Sequence, residues 1–145
     1  MDNIDLKILD ILQADGRITM KELGQRVGLT SPATIERVKK LEEGGVIAGY
    51  KAILNIPRAG LPVRAFLLAT LQNQQTGDKF VEFIRQQDGV LNCHRLAGRA
   101  AYLVEAVLSD MAGLEHFLDQ VGVYGTLETY LVLSSPVEHK AVVLP

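Results

Sequence analysis

The stretch Thr30-Ser31-Pro32-Ala33-Thr34-Ile35-Glu36-Arg37-Val38-Lys39-Lys40-Leu41-Glu42 constrains this chain more than any other. Its apolar positions Ile35, Val38 and Leu41 fall on one helical stripe, which leaves Thr34, Arg37, Lys39 and Lys40 for the other side. A helix this short is marginal in water without tertiary packing, so the stripe must be laid on neighbouring helices. The basic, polar outer face is then free to be presented to a partner.

The segments around it supply the neighbours. A first helix is expected from Asp2 or Asn3, either of which can cap, to about Ala14, with Ile4, Ile8, Ile11 and Leu12 inward and Asp15-Gly16 as the stop. Thr19 and Glu22 have capping-box spacing and open a second helix whose inner face is Leu23 and Val27 and whose end is Gly28. Thr30 is the expected cap of the third helix; Pro32 is tolerated because first-turn amides have no intrahelical partner, and Gly44-Gly45 terminates it. Val46-Ile47-Ala48-Gly49-Tyr50 and Lys51-Ala52-Ile53-Leu54-Asn55 read as two short β-like pieces pivoting near Gly49. Three helices and a small hairpin describe a winged helix-turn-helix over residues 1–50.

Asn55-Ile56-Pro57-Arg58-Ala59-Gly60-Leu61-Pro62 changes the texture, and residues 51–62 are taken as a linker strand and hinge. Residues 63–145 alternate between strand and helix patterns. Val63 to Leu71 is strand-like; Thr76-Gly77-Asp78 opens a helix burying Phe80, Val81, Phe83 and Ile84, and Asp88-Gly89 ends it. Val90 to Ala97 and Ala101 to Leu108 are strands joined by a turn at Gly98-Arg99-Ala100, which predicts antiparallel pairing. Ser109 or Asp110 caps a helix burying Leu114, Phe117, Leu118 and Val121, and Leu127 to Leu133 is the last strand. The order βαββαβ predicts a ferredoxin-like domain, so the fold class is α+β. One face of such a sheet carries the helices; the simplest cover for the other is the same face of a second subunit.

Charge restricts the partner. The formal net charge is −2, and residues 1–50 hold 7 Lys+Arg against 8 Asp+Glu, so neither half is a general polyanion binder. Binding to nucleic acid must come from local placement and from two or more copies acting together. No apolar run approaches a membrane span, and the start lacks the pattern of a signal peptide, which predicts a soluble cytoplasmic chain with no membrane partner. Cys93 is the single cysteine, so neither an intrachain disulfide nor a cysteine-based zinc cluster can form. It is read as a small core residue.

Catalytic constellations do not assemble. His94, His116 and His139 are isolated without ligand spacing, and no HExxH, GxSxG or phosphate-cradling glycine loop is present. No catalytic residue, metal site or cofactor is therefore assigned, and Glu82, Glu115 and Asp119 are read as solvated helix faces. Helix-turn-helix docking puts the N-terminal half of the second motif helix at base edges, with flanking cations and amides on phosphates. Ser31, Ala33, Thr34 and Arg37 are therefore expected at the groove of double-stranded DNA, and Lys39 and Lys40 nearer the backbone. The competing reading is a solvated face with a Glu36/Lys40 pair.

Leu12-Gln13-Ala14-Asp15-Gly16-Arg17-Ile18, Glu36-Arg37-Val38-Lys39-Lys40-Leu41-Glu42 and Gly45-Val46-Ile47-Ala48-Gly49-Tyr50 resemble the Lrp/AsnC family of transcriptional regulators. Cys93-His94-x-x-x-Gly98 and Thr129-Tyr130-x-Val132-Leu133 resemble its effector domain. The resemblance implies an N-terminal DNA-binding domain and a C-terminal domain that dimerises, assembles into octamers or similar rings, and often binds an amino acid between subunits. Carried onto this chain, it places an effector near Leu96, Gly98, Arg99, Ala100, Ala101, Tyr102 and Thr129.

Two departures bear on that effector. Family members commonly have Gly-Asp-aromatic-Asp-Tyr at this turn, whereas this chain has Arg99 and Ala101 at the acidic positions. A carboxylate is the natural partner of an amino acid's ammonium group, so its loss points away from an ordinary α-amino acid; an arginine favours a carboxylate, and the effector is expected to be an amino acid or another small carboxylate metabolite. The stretch Val123 to Thr129 is one residue longer than usual and carries only Thr129 of the family's Thr-x-Thr pair. Two rivals share the plan: a siroheme decarboxylase-like enzyme subunit, and a DNA architectural protein without an effector. Copurifying tetrapyrrole colour would mark the enzyme, salt-sensitive duplex binding the regulator, and indifference to metabolites the architectural protein.

Overall fold

Asp2 starts the chain's first helix in a reciprocal way. Its carboxylate accepts from the amides of Ile4 and Asp5 at 2.9 Å each, and Asp5 accepts from the Asp2 amide at 2.9 Å. The computed structural model describes residues 1–145 apart from the side chain of Gln74, and helix α1 spans Asn3–Ala14. Helix α2, Met20–Val27, has the Thr19/Glu22 box expected of it. Gly28 closes α2 at φ 73°, a left-handed turn that glycine enters without steric penalty.

Helix α3 spans Ser31–Glu43, and its inner stripe is not the expected one. Thr34, Val38 and Leu41 are buried, whereas Ile35 is 51% exposed. The cause lies in α2. A Cβ on Gly24 would stand 2.7 Å from both the Leu29 carbonyl and the Thr34 hydroxyl, so the two helices meet at a glycine with only a small residue opposite. Ile35 does not fit there. The Thr34 hydroxyl is satisfied inside by donating to the Thr30 carbonyl at 2.9 Å. Thr30 occupies the cap position, but its side chain makes no capping hydrogen bond. Around this crossing pack Ile8, Leu9, Leu12, Ile18, Leu23, Val38 and Leu41.

The expected hairpin of residues 46–55 does not form: neither piece is a strand. The amides of Val46 and Ile47 are used instead to cap α3, donating to the Leu41 carbonyl at 2.9 and 3.1 Å. Pro57–Ala59 is a short 3-10 turn within the linker.

The second unit is built on strands β1 (Val63–Leu71), β2 (Val90–Arg95), β3 (Tyr102–Leu108) and β4 (Gly125–Leu131), with helices α4 (Gln74–Arg85) and α5 (Met111–Gly122). The sheet order is β2-β3-β1-β4 with every neighbour antiparallel, the βαββαβ topology expected from the sequence. Ala65, Leu67, Ala69, Val104 and Ala106 meet Phe80, Ile84, Leu114, Phe117 and Val121 of the helices in one core. Helix α4 starts two residues before the expected Thr76, because Asn73 is the cap and accepts from the Thr76 amide at 2.9 Å. Asp110 caps α5. Strand β2 stops at Arg95 rather than Ala97, and β4 at Leu131 rather than Leu133. Cys93, read as a core residue, is exposed on β2; partial desolvation raises its thiol pKa.

The compact units are Met1–Ile53 with Val137–Pro145, and Leu54–Pro136. Residues 137–145, grouped by the sequence with the second domain, thus pack with the helices of the first. The Gln13 carboxamide holds them there, accepting from the Val142 amide at 2.8 Å and donating to the Val142 carbonyl at 3.0 Å, and Leu144 packs against the helical core.

Candidate DNA-reading helix and effector turn

With Thr34, Val38 and Leu41 inward, helical periodicity turns Pro32, Ile35 and Lys39 outward along one stripe, all exposed. Of the residues expected at the groove, Thr34 is removed from the surface and Ser31 and Ala33 are half-buried. Lys39 and Lys40 are exposed, and each faces a glutamate one turn away: Lys40–Glu36 at 2.9 Å and Lys39–Glu43 at 3.5 Å. The Lys40 ammonium holds the Glu36 carboxyl below its ordinary pKa. Ile35 and Pro32 stand exposed, whereas the sequence pattern puts Ile35 on the inner stripe in the place that Thr34 takes. The signal that could have found them is Gly24 on α2, which needs a small residue opposite.

Arg37 is engaged. One of its terminal nitrogens donates to Asp2 and to Asp5, each at 2.8 Å, so α3 is clamped to the capping box of α1. The carboxylates are doubly placed, since acidic groups are also favoured at the positive end of α1. Asp2 has its pKa lowered, first by the Asp5 amide and then by Arg37, and the guanidinium of Arg37 is raised in turn by Asp2 and Asp5. Arg37 and Lys40 line an open hollow of about 490 Å³ with Met1, Asp5 and Val46.

The turn at which the sequence places an effector joins β2 to β3 in the second unit. The Leu96 amide donates to the Ala101 carbonyl at 2.8 Å, closing a loop that holds Gly98, Arg99 and Ala100, and the Ala101 amide ties it to Ala69 of β1 at 2.8 Å. Arg99 reaches across to β4 and donates to Glu128 at 2.6 Å. Tyr130 donates its hydroxyl to the other Glu128 oxygen at 3.0 Å. Arg99 and then Tyr130 hold the Glu128 carboxyl below its usual pKa, and Glu128 raises the Tyr130 phenol.

Strand alternation separates the remaining expected residues from this cluster. Thr129 is paired in register with buried Leu67, and the Tyr102 ring packs 5.1 Å from Phe80 of α4, so both belong to the helix-bearing side of the sheet. Arg99 is thus brought to Glu128 and Tyr130 rather than to Thr129. Glu128 had no motif to mark it, being the residue between the positions of the Thr-x-Thr pattern. Among the described residues no group of three or more His, Cys, Asp or Glu could hold a metal ion, and no helix is long and apolar enough to cross a membrane.

A helix-turn-helix unit joined to a ferredoxin-like effector domain defines a transcriptional regulator with a DNA-binding and a ligand-binding part, and comparison with known proteins agrees. Residues 1–48 match the winged helix-turn-helix DNA-binding family and residues 64–142 the Lrp/AsnC ligand binding domain. The chain belongs to the Lrp/AsnC family. It is 39% identical over 141 residues to the HTH-type transcriptional regulator YezC of Bacillus subtilis, covering 97% of this chain and 99% of that one. It is 38% identical over 120 residues to a leucine-responsive regulatory protein of Rhizobium meliloti, covering 81% and 77%. Among solved structures, a Neisseria meningitidis transcriptional regulator in complex with L-Met superposes with a TM-score of 0.91 at 29% identity, covering 98% and 96%. Bacillus subtilis LrpC superposes with a TM-score of 0.90 at 31% identity, covering 97% and 99%. These relatives are transcriptional regulators.

Proposed function

We propose that this regulator is a cytoplasmic homo-oligomer that reads pseudo-palindromic duplex DNA through the Pro32, Ile35 and Lys39 stripe of α3. The observation that carries this reading is the register of α3, set by the Gly24–Thr34 contact. An exposed isoleucine on an otherwise charged helix suits the methyl group of thymine in the major groove, and Lys39 suits a phosphate. Arg37, held by two carboxylates, positions α3 instead of reading a base. Paired copies compensate for a reading unit without excess positive charge, each recognition helix reaching a major groove about 10 bp or a multiple of it from the next. Phe66, Leu68 and Leu103 on the sheet face away from the helices, beside the Arg64–Glu105 ion pair at 2.5 Å, support pairing through that face.

Selection of bound duplexes from a random pool tests the DNA reading. Ile35→Ala is expected to relax the selected sequence at one position of each half-site, whereas Arg37→Ala leaves the sequence unchanged. The reverse result would sink the assignment.

The effector reading rests on Arg99 and Glu128. The pair is exposed and electrically balanced, offering a cation to a carboxylate and a carboxylate to an ammonium group. It therefore favours a zwitterion such as an α-amino acid over a simple carboxylate. The L-Met complex of the Neisseria relative and the leucine response of the Rhizobium relative point the same way. Thermal-shift titration with L-leucine, L-methionine and their deaminated acids tests it: stabilisation by the acids alone overturns the zwitterion, and no stabilisation by any leaves a DNA-binding protein without this class of effector.

A further inference from the structure

The segment 137–145 belongs to the helical unit although the chain between residues 54 and 136 forms the other. The chain therefore runs between the units twice, once after Ile53 and once between Pro136 and Val137. A single linker with Gly60 in it would leave the reading unit free to reorient. A second connection removes much of that freedom, provided the returning segment stays docked.

Docking uses groups of α1 and of the helical core. Gln13, exposed on α1, satisfies both the amide and the carbonyl of Val142, a two-bond clasp like one rung of a β-ladder, and Leu144 adds apolar contact. None of these groups lies on α3. The clasp uses no residue of the DNA-facing stripe and none of the effector turn.

We propose that residues 137–145 are a second tether for the DNA-reading unit and that Gln13 is the positioning residue that fastens it. The inference rests on the paired reading of DNA proposed above. When two reading units must meet two half-sites at once, freedom left in each unit is lost on binding and weakens the paired complex. A single half-site makes no such demand.

The test uses the full-length protein, Gln13→Ala, a chain lacking residues 137–145, and the two changes combined. Each is titrated against a duplex with two selected half-sites and against one with a single half-site. The tether predicts that Gln13→Ala lowers paired-site affinity about 3- to 10-fold. Single-site affinity should stay within about twofold, and the combined variant should match the deletion alone. Equal losses on both duplexes would make the segment merely structural, and additive losses would detach Gln13 from it; either overturns the proposal, as does no change at all. If the unmodified protein binds both duplexes equally, the paired reading itself falls and the tether with it.

Discussion

Two arginines attract functional readings in this sequence, Arg37 on α3 and Arg99 in the turn between β2 and β3, and the fold gives each its own carboxylate partners. The partners differ in what they do. Arg37 is about one-third exposed and bridges two helices to two acids that are themselves fixed by the α1 cap. Arg99 is 85% exposed and meets Glu128 on β4, which β1 separates from β3. An ion pair locked by several hydrogen bonds between elements is part of the architecture. An exposed single pair contributes little to stability and is easily opened, which suits a site that must accept a ligand.

The comparison can be broken first at its foundation. Gly24→Ala pushes a methyl group into the Leu29 carbonyl and the Thr34 hydroxyl and is expected to cost about 1–3 kcal/mol, read by denaturant unfolding. A neutral or stabilising result would mean that α2 and α3 do not cross as described. Arg37→Ala should lower the unfolding temperature without changing which duplex is selected. Its effect carries a pH signature. The fold lowers the Asp2 pKa below its ordinary 3.8, so this contribution is complete above that value and is lost as pH falls through the lowered folded value. Melts between pH 7 and pH 2 should accordingly show a smaller acid loss in Arg37→Ala than in the unmodified chain.

Thr34→Val probes the interior side of the same helix and should cost about 1 kcal/mol for the lost hydrogen bond to Thr30. Operator affinity of the folded variant stays as it was, since that side chain does not reach the surface; a specific loss of DNA binding would return Thr34 to the groove. Arg99→Ala should produce the smallest stability change, within the scatter of a melting curve. Its consequence belongs to ligand response: stabilisation by a zwitterionic amino acid weakens. A large drop in melting temperature would make Arg99 a structural clamp like Arg37 and remove the contrast.

Much of the fold was legible because local signals agreed. The Asp2 and Thr19 caps, the Gly28 turn and the Gly44-Gly45 stop fixed three helices, and strand alternation gave the order of the second domain. The candidate sites were less legible. Ile35 and Thr34 are adjacent, and a stripe drawn through Val38 and Leu41 accommodates either one, so periodicity could not choose. The hairpin of residues 46–55 failed for a similar reason: its residues suit a strand, but two of its first amides are taken by the end of α3.

By itself the sequence determined the five helices, the four strands of the sheet, their order and the family, though not the absence of the 46–55 hairpin, because capping, turn chemistry and apolar periodicity act over a few residues and are written there. Tertiary structure decided which face of α3 is presented, which acids occupy Arg37 and Arg99, and where residues 137–145 come to rest. Those outcomes depend on groups far apart in the chain meeting within hydrogen-bond distance. Asp2 with Arg37, Arg99 with Glu128 and Gln13 with Val142 are pairs that no local pattern encodes.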